Sequence, residues 1–133
     1  MTEKELIEKA KQASSAAYAP YSHFRVGAAL LAENGEVFTG VNVENSSYGL
    51  TICAERNALA AAICQGIRRF TMIAVYAEAD PPATPCGACR QVLFEFAPNM
   101  QVVCANDKGE IYRFTVAQLL PDGFRLLRDD DKV

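Results

Sequence analysis

Apolar positions recur along this chain with two different periods, and the changes of period mark out its elements. Leu6, Ile7, Ala10, Ala13 and Ala17 follow at helical spacing behind Thr2-Glu3-Lys4-Glu5, which has the form of a capping box. The spacing predicts a first helix running to about Tyr18 and stopped by Pro20. Residues 24–32 and 36–43 read as two strands joined around Asn34-Gly35, the strongest short hairpin signal. Residues 51–65 return to a helical pattern, with Gly66 placed to end it. Within it, residues 58–64 are apolar on every side, which predicts a buried helix. Residues 70–77 form the near-continuous apolar run of a strand inside a sheet.

A proline-rich loop over residues 80–85 follows, and Thr84-Pro85 has the chemistry of an N-cap and first position for a helix through Phe96. Pro98-Asn99 ends that helix. Residues 101–105 and 110–114 pair around Asn106-Asp107-Lys108-Gly109, and a short helix over 116–120 precedes Pro121. There is no repeat and no linker. The expectation is a single domain over residues 1–133, a three-layer α/β/α sandwich built on a mixed five-stranded sheet.

Composition narrows the function. At 133 residues and 14.5 kDa the chain is long enough for a real core but short for an enzyme that encloses its ligand alone. A net charge of −3 and a pI near 5.1 argue against a nucleic-acid surface, which needs clustered Lys and Arg. The acidic run Asp129-Asp130-Asp131 reads as a solvated tail. No apolar run approaches a membrane span, and Met1-Thr2-Glu3-Lys4 has no signal-segment pattern, so a cytoplasmic protein is expected. Disulfides are rare there, and five cysteines, an odd number, favour metal or catalytic use of some of them.

The decisive pattern is Cys53-Ala54-Glu55 followed by Pro85-Cys86-Gly87-Ala88-Cys89. Three thiols can hold one Zn²⁺ and leave a position for water, as catalytic rather than structural zinc sites do. A carboxylate beside them has the place of a proton shuttle, an arrangement found in zinc nucleobase deaminases. Cys53 falls in the first turn of one predicted helix and Cys86 and Cys89 in that of another, where the free N–H groups favour thiolate. Three thiolates leave a zinc site with an excess negative charge, which Arg56 and Arg90 are placed to offset.

Other readings compete. Glu55 could be a solvated first-turn glutamate, and Cys86-Gly-Ala-Cys89 alone could be a redox dithiol. A dithiol, however, has no use for Cys53-Ala-Glu55. A closed four-ligand site would need Cys64, Cys104 or His23. Cys64 lies in the apolar helix and Cys104 in a buried-type strand, where cysteine behaves as a small hydrophobe, and His23 sits among loop residues. Asn42 and Glu44, two apart on a predicted strand, leave the same face and could meet adjacent hydroxyls of a sugar, or could simply be polar strand-end residues. No Gly-rich phosphate loop is present, and Glu44 would repel a phosphate.

These segments, together with Ala19-Pro20-Tyr21-Ser22, Phe24-Arg-Val-Gly-Ala-Ala-Leu30, Gly40-Val-Asn-Val-Glu-Asn45, Cys53-Ala-Glu-Arg56 and Pro85-Cys-Gly-Ala-Cys-Arg-Gln91, closely resemble the small homotetrameric cytidine deaminases from about Tyr18 to Phe124. The resemblance implies one Zn²⁺ per chain on Cys53, Cys86 and Cys89 and a proton shuttle at Glu55. It puts Asn42 and Glu44 on the ribose, Phe24 against the pyrimidine, and Glu55 with the Ala54 backbone on the base. The implied reaction is hydrolytic deamination of cytidine and 2′-deoxycytidine in pyrimidine salvage. A homotetramer is implied too, with Tyr48 and Phe124 as the expected donors to a neighbouring subunit's site. Residues before Ala10 and after Phe124 carry no resemblance.

Overall fold

The structure is a computed structural model that describes residues 1–126; the acidic run 129–131 lies outside them. Helix α1 (Glu3–Ser14) opens with both arms of the capping box: Glu5 N donates to Thr2 Oγ1 at 3.1 Å and Thr2 N to Glu5 Oε1 at 2.9 Å. It ends at Ser14, four residues before the expected Tyr18. Ser14 and Ser15 turn their hydroxyls back onto Lys11 O and Gln12 O, which offers the carbonyls of the last turn an alternative to further helix. Tyr18 then pairs with Val43: its N–H donates to Asn42 O, and Glu44 N–H donates to Tyr18 O.

Strands β1 (Val26–Ala32), β2 (Val37–Val41), β3 (Phe70–Ala77), β4 (Gln101–Ala105) and β5 (Ile111–Thr115) form one sheet in the order β2-β1-β3-β4-β5. Only β3 and β4 run parallel, and the other three pairings are antiparallel. The parallel pair is joined through helix α3 (Gly87–Phe96), since parallel neighbours need a crossover. The β1–β2 hairpin turns at Asn34-Gly35, where Glu36 N donates to Asn34 Oδ1 at 2.9 Å.

Side chains alternate between two cores, as strand geometry requires. Ala29, Ala74, Tyr76 and Ala105 pack under Leu6 and Ala10 of α1 on one face. Leu30, Ile73, Val75, Val102 and Cys104 pack on the other, under helix α2 (Ala54–Cys64), α3 and the short α4 (Val116–Leu119). The three layers and five mixed strands are those expected from the sequence.

Two glycines set how closely the helices approach. A Cβ at Gly27 would fall 1.9 Å from Ala10 O, and one at Gly40 would fall 2.4 Å from both Ala54 O and Ala58 N. Gly40 therefore lets the first turns of α2 lie directly on β2, just after Cys53.

The expectation of an all-round buried helix is corrected. Ala54, Ala58, Leu59 and Ala62 are buried on the sheet, but Ala60, Ala61 and Cys64 are exposed. One sheet covers only one side of a helix, so the opposite apolar face is left open in the single chain. Cys64 is thus not a core cysteine, whereas Cys104 is fully buried.

Candidate metal centre and active site

The two cysteine motifs meet because two helices begin at the same place. Cys53 is the N-cap of α2 and Cys86 the N-cap of α3; Cys89 is the third residue of α3. The helices start later than the sequence suggested. Residues 51–53 are extended before α2, because Ile52 pairs with Val43 across a bridge and holds that stretch against the end of β2. Thr84 and Pro85 stay outside α3, where Arg90 folds back and donates from Nη2 to Thr84 Oγ1 and from Nε to Pro85 O.

The result is a cluster of three sulfurs within 4.8 Å of one another, the one such cluster among the described residues. Cys53 Sγ lies 3.8 Å from Cys86 Sγ, and Cys86 Sγ lies 3.5 Å from Cys89 Sγ. Cys64, Cys104 and His23 do not join it. Glu55, one turn position inside α2, is only 5 % exposed. Loss of solvation lifts its carboxyl to about 7, and the neighbouring Cys53 charge adds to the rise.

A family model, "Cytidine and deoxycytidylate deaminase zinc-binding region", matches residues 1–106. The chain belongs to this deaminase family. It is 50% identical over 125 residues to a cytidine deaminase of Sporosarcina psychrophila, covering 93% of this chain and 92% of that protein. A cytidine deaminase of Halalkalibacterium halodurans is likewise 50% identical over 125 residues, covering 93% and 95%. The crystal structure of a cytidine deaminase from Burkholderia pseudomallei superposes with a TM-score of 0.92 at 52% identity, covering 93% of this chain and 100% of that one.

The thiol cluster of this deaminase fits the family's metal. Tetrahedral zinc with Zn–S bonds of about 2.3 Å places its sulfurs about 3.8 Å apart, and the Cys53–Cys86 and Cys86–Cys89 separations of 3.8 and 3.5 Å already lie near that spacing. The cluster is prepared for a cation electrically as well. Cys53 is drawn down to about 5, first by the hydrogen bond from Cys89 and then by those from Arg56 and Cys86. Cys89 is pushed up because it supplies that hydrogen bond and is desolvated. Arg56 donates from Nη2 to Cys53 Sγ at 3.6 Å, and its buried Nε has no hydrogen-bond partner. The other arginine expected to offset the thiolates does not do so. Arg90 spends its guanidinium on Pro85 O, Leu119 O at 2.9 Å and Thr84, and so ties α3 to the loop before it and to α4.

The remaining candidate residues are less tightly grouped. Asn42 and Glu44 lie just beyond β2 rather than within it. Asn42 is buried, with Oδ1 accepting from Val26 N at 2.9 Å and Nδ2 donating to Phe24 O at 2.8 Å. Glu44 Oε1 accepts from Tyr21 N at 3.0 Å and from Ser22 N at 3.1 Å, and Oε2 accepts from Ser22 Oγ. Glu44 borders a cavity of about 190 Å³ with Tyr21, Ser22, Tyr48 and Thr51. Phe24 is exposed and borders a different cavity, of about 430 Å³, with His23, Arg25 and Tyr76. A further cavity, of about 520 Å³, lies at the far end of α3 from the cysteines, by Phe96 and Gln101. Ala54 is fully buried at the start of α2. Tyr48, in a single 3₁₀ turn (Tyr48–Leu50), is 73% exposed and Phe124 is 65% exposed.

Four contributors escape sequence reasoning. Tyr21 and Ser22 hold Glu44, Asn57 Nδ2 donates to Val41 O at 2.7 Å and pins α2 to β2, and Gln91 Nε2 donates to Phe124 O at 2.9 Å. Asn57 had a visible signal, being an amide directly before the apolar run 58–64. The other contacts span more than twenty residues and have none.

Proposed function

We propose that this chain, as one domain, hydrolyses cytidine and 2′-deoxycytidine to uridine and 2′-deoxyuridine with release of ammonia. The observation that carries the reading is a buried carboxyl, one residue beyond Ala54 and beside a three-thiol cluster spaced for zinc. Zinc held by Cys53, Cys86 and Cys89 would supply the Lewis acidity that makes a water nucleophilic near neutral pH. Glu55, poised to gain or lose a proton at that pH, moves protons to the pyrimidine ring nitrogen and then to the leaving amine. Its burial keeps bulk water from that exchange. The Ala54 backbone borders the base, Phe24 lies against the ring, and Asn42 and Glu44 take the sugar hydroxyls. Cytidine absorbance should fall in the ultraviolet with purified protein, with ammonia released in equal amount, and both should stop with a chelator. Protein that holds zinc yet leaves cytidine and 2′-deoxycytidine unchanged would overturn the proposal.

Arg56 steadies the thiolates in this reading. Arg56→Ala is expected to lower kcat about tenfold or more while changing the melting temperature little. Loss of a cation disfavours nearby anions, so the acidic limb of the kcat/KM profile moves to higher pH. Parent turnover with an unmoved profile would make Arg56 an ordinary surface residue.

The active protein is a homotetramer in this proposal, with sites completed by neighbouring chains. Support comes from the open Ala60, Ala61 and Cys64 face of α2 and from the exposed Tyr48, Leu50, Ile52 and Phe124. A second copy laid on that face would cover surface that the chain cannot cover itself, and alanines let backbones come close. Tyr48 and Phe124 are the side chains that would cross. Sedimentation at assay concentration should give a mass near four chains; a fully active species of one chain's mass would end this part of the proposal. Nucleoside rather than nucleic acid is the substrate, in keeping with the net charge of −3. Among the described residues no helix is long and apolar enough to cross a membrane. Five free cysteines suit the reducing cytoplasm.

A further inference from the structure

We propose that Ser22 is a positioning residue for the sugar end of the site, joining Glu44, Phe24 and Asn42 into one hydrogen-bonded unit. The inference rests on the reading of Glu44 as the acceptor of a sugar hydroxyl. The direction of the hydrogen bonds around Ser22 is forced by their chemistry. Phe24 N–H can only donate, and it reaches Ser22 Oγ at 3.0 Å. An ionised carboxylate can only accept, so the single hydroxyl proton of Ser22 goes to Glu44 Oε2. The relay therefore runs from Phe24 N–H through the Ser22 hydroxyl to Glu44. His23, between them, takes the left-handed backbone at φ 58 that folds Phe24 N back onto the serine.

The same unit closes on its other side. Phe24 O accepts from Asn42 Nδ2 at 2.8 Å, while Asn42 Oδ1 accepts from Val26 N at 2.9 Å. Phe24 is thus gripped at its N–H by Ser22 and at its carbonyl by Asn42. Glu44 Oε1 already accepts two backbone N–H groups, from Tyr21 and Ser22, which use both of its lone pairs. Oε2, holding only the Ser22 hydroxyl, keeps an acceptor position for an incoming hydroxyl. Ser22 consequently decides how that free lone pair points and stops the carboxylate from rotating. Its donation is also the main reason the Glu44 carboxyl lies below the ordinary glutamate value. A glutamate fixed in advance loses less rotamer freedom when the sugar arrives.

Steady-state kinetics on cytidine with zinc-loaded Ser22→Ala, Ser22→Thr, Glu44→Ala and the Ser22→Ala/Glu44→Ala pair tests this. Ser22→Ala should raise KM about tenfold with kcat within about threefold, the scale of one hydrogen bond to a charged group. Ser22→Thr keeps the hydroxyl and should return KM to within about twofold of the parent. In the Glu44→Ala background, the tenfold effect of Ser22→Ala on KM should shrink to about threefold or less, because the carboxylate it positions is gone and only its hold on Phe24 N–H remains. A KM rise in Glu44→Ala without one in Ser22→Ala overturns the role of Ser22 alone. The same holds if the Ser22 effect persists undiminished in the double variant. An unchanged KM in Glu44→Ala instead removes the sugar role of Glu44, and with it the basis for the proposal.

Discussion

Glu55→Gln should leave a protein that folds and binds one zinc but deaminates cytidine at least about a thousandfold more slowly, within the range of positioned acid–base catalysis. The amide keeps the size of the side chain and much of its hydrogen bonding, but carries no proton that can be transferred near neutral pH. A carboxyl in this position is 5% exposed and sits near 7 because burial disfavours its anion. That value lets it act as base and acid at the same pH. Turnover within tenfold of the parent, only about 1.4 kcal/mol in the barrier, would sink the assignment. The same substitution has a signature in metal-free protein. A carboxyl whose folded pKa is raised binds more protons folded than unfolded, so its contribution to stability is present below the unfolded value near 4.5 and is lost as pH rises through about 7. A shift from 4.5 to about 7 corresponds to about 3 kcal/mol. The Gln variant should lack that slope, so chelated Glu55→Gln protein should gain on the chelated parent between pH 5 and about pH 8.

The course of this chain was legible wherever the signal is local. The Thr2 capping box, the Asn34-Gly35 turn and the apolar run of residues 70–77 each depend on neighbours in sequence, and all stand in the structure. The end of α1 and the start of α2 are set by partners far along the chain and were misplaced, whereas α3 ends at Phe96 as expected. Ile52 is claimed by Val43, so α2 begins at Ala54, and Tyr18 is claimed by the same short edge, so α1 stops early. These shifts make Cys53 and Cys86 helix caps rather than first-turn residues, which leaves both sulfurs at the junction of two helix starts. The identity of the cluster could be read because Cys-Ala-Glu and Cys-Gly-Ala-Cys are short motifs. The division of labour between Arg56 and Arg90 could not, since it depends on which guanidinium finds backbone carbonyls nearby. An apolar pattern reports that a surface is to be covered, not whether its own chain covers it.

Replacing any one of Cys53, Cys86 and Cys89 by Ala should reduce zinc to well below about 0.1 per chain and abolish turnover, because an open site has no ligand to spare. Cys64→Ala and Cys104→Ala should keep one zinc. The contrast follows from position. The first three sulfurs converge within 4.8 Å, Cys64 is exposed late in α2, and Cys104 is buried in β4 with its thiol pushed up to about 12 by burial. A thiol held that strongly in its neutral form is a packing group, so Cys104→Ala should cost about 1 kcal/mol of stability and nothing in metal. Elemental analysis beside thermal unfolding separates the two effects in all five variants. Zinc lost from folded Cys64→Ala or Cys104→Ala protein would mean that a fourth sulfur closes the tetrahedron. A site closed in that way would have no open position for a water, and the proposed hydrolysis would lose its nucleophile.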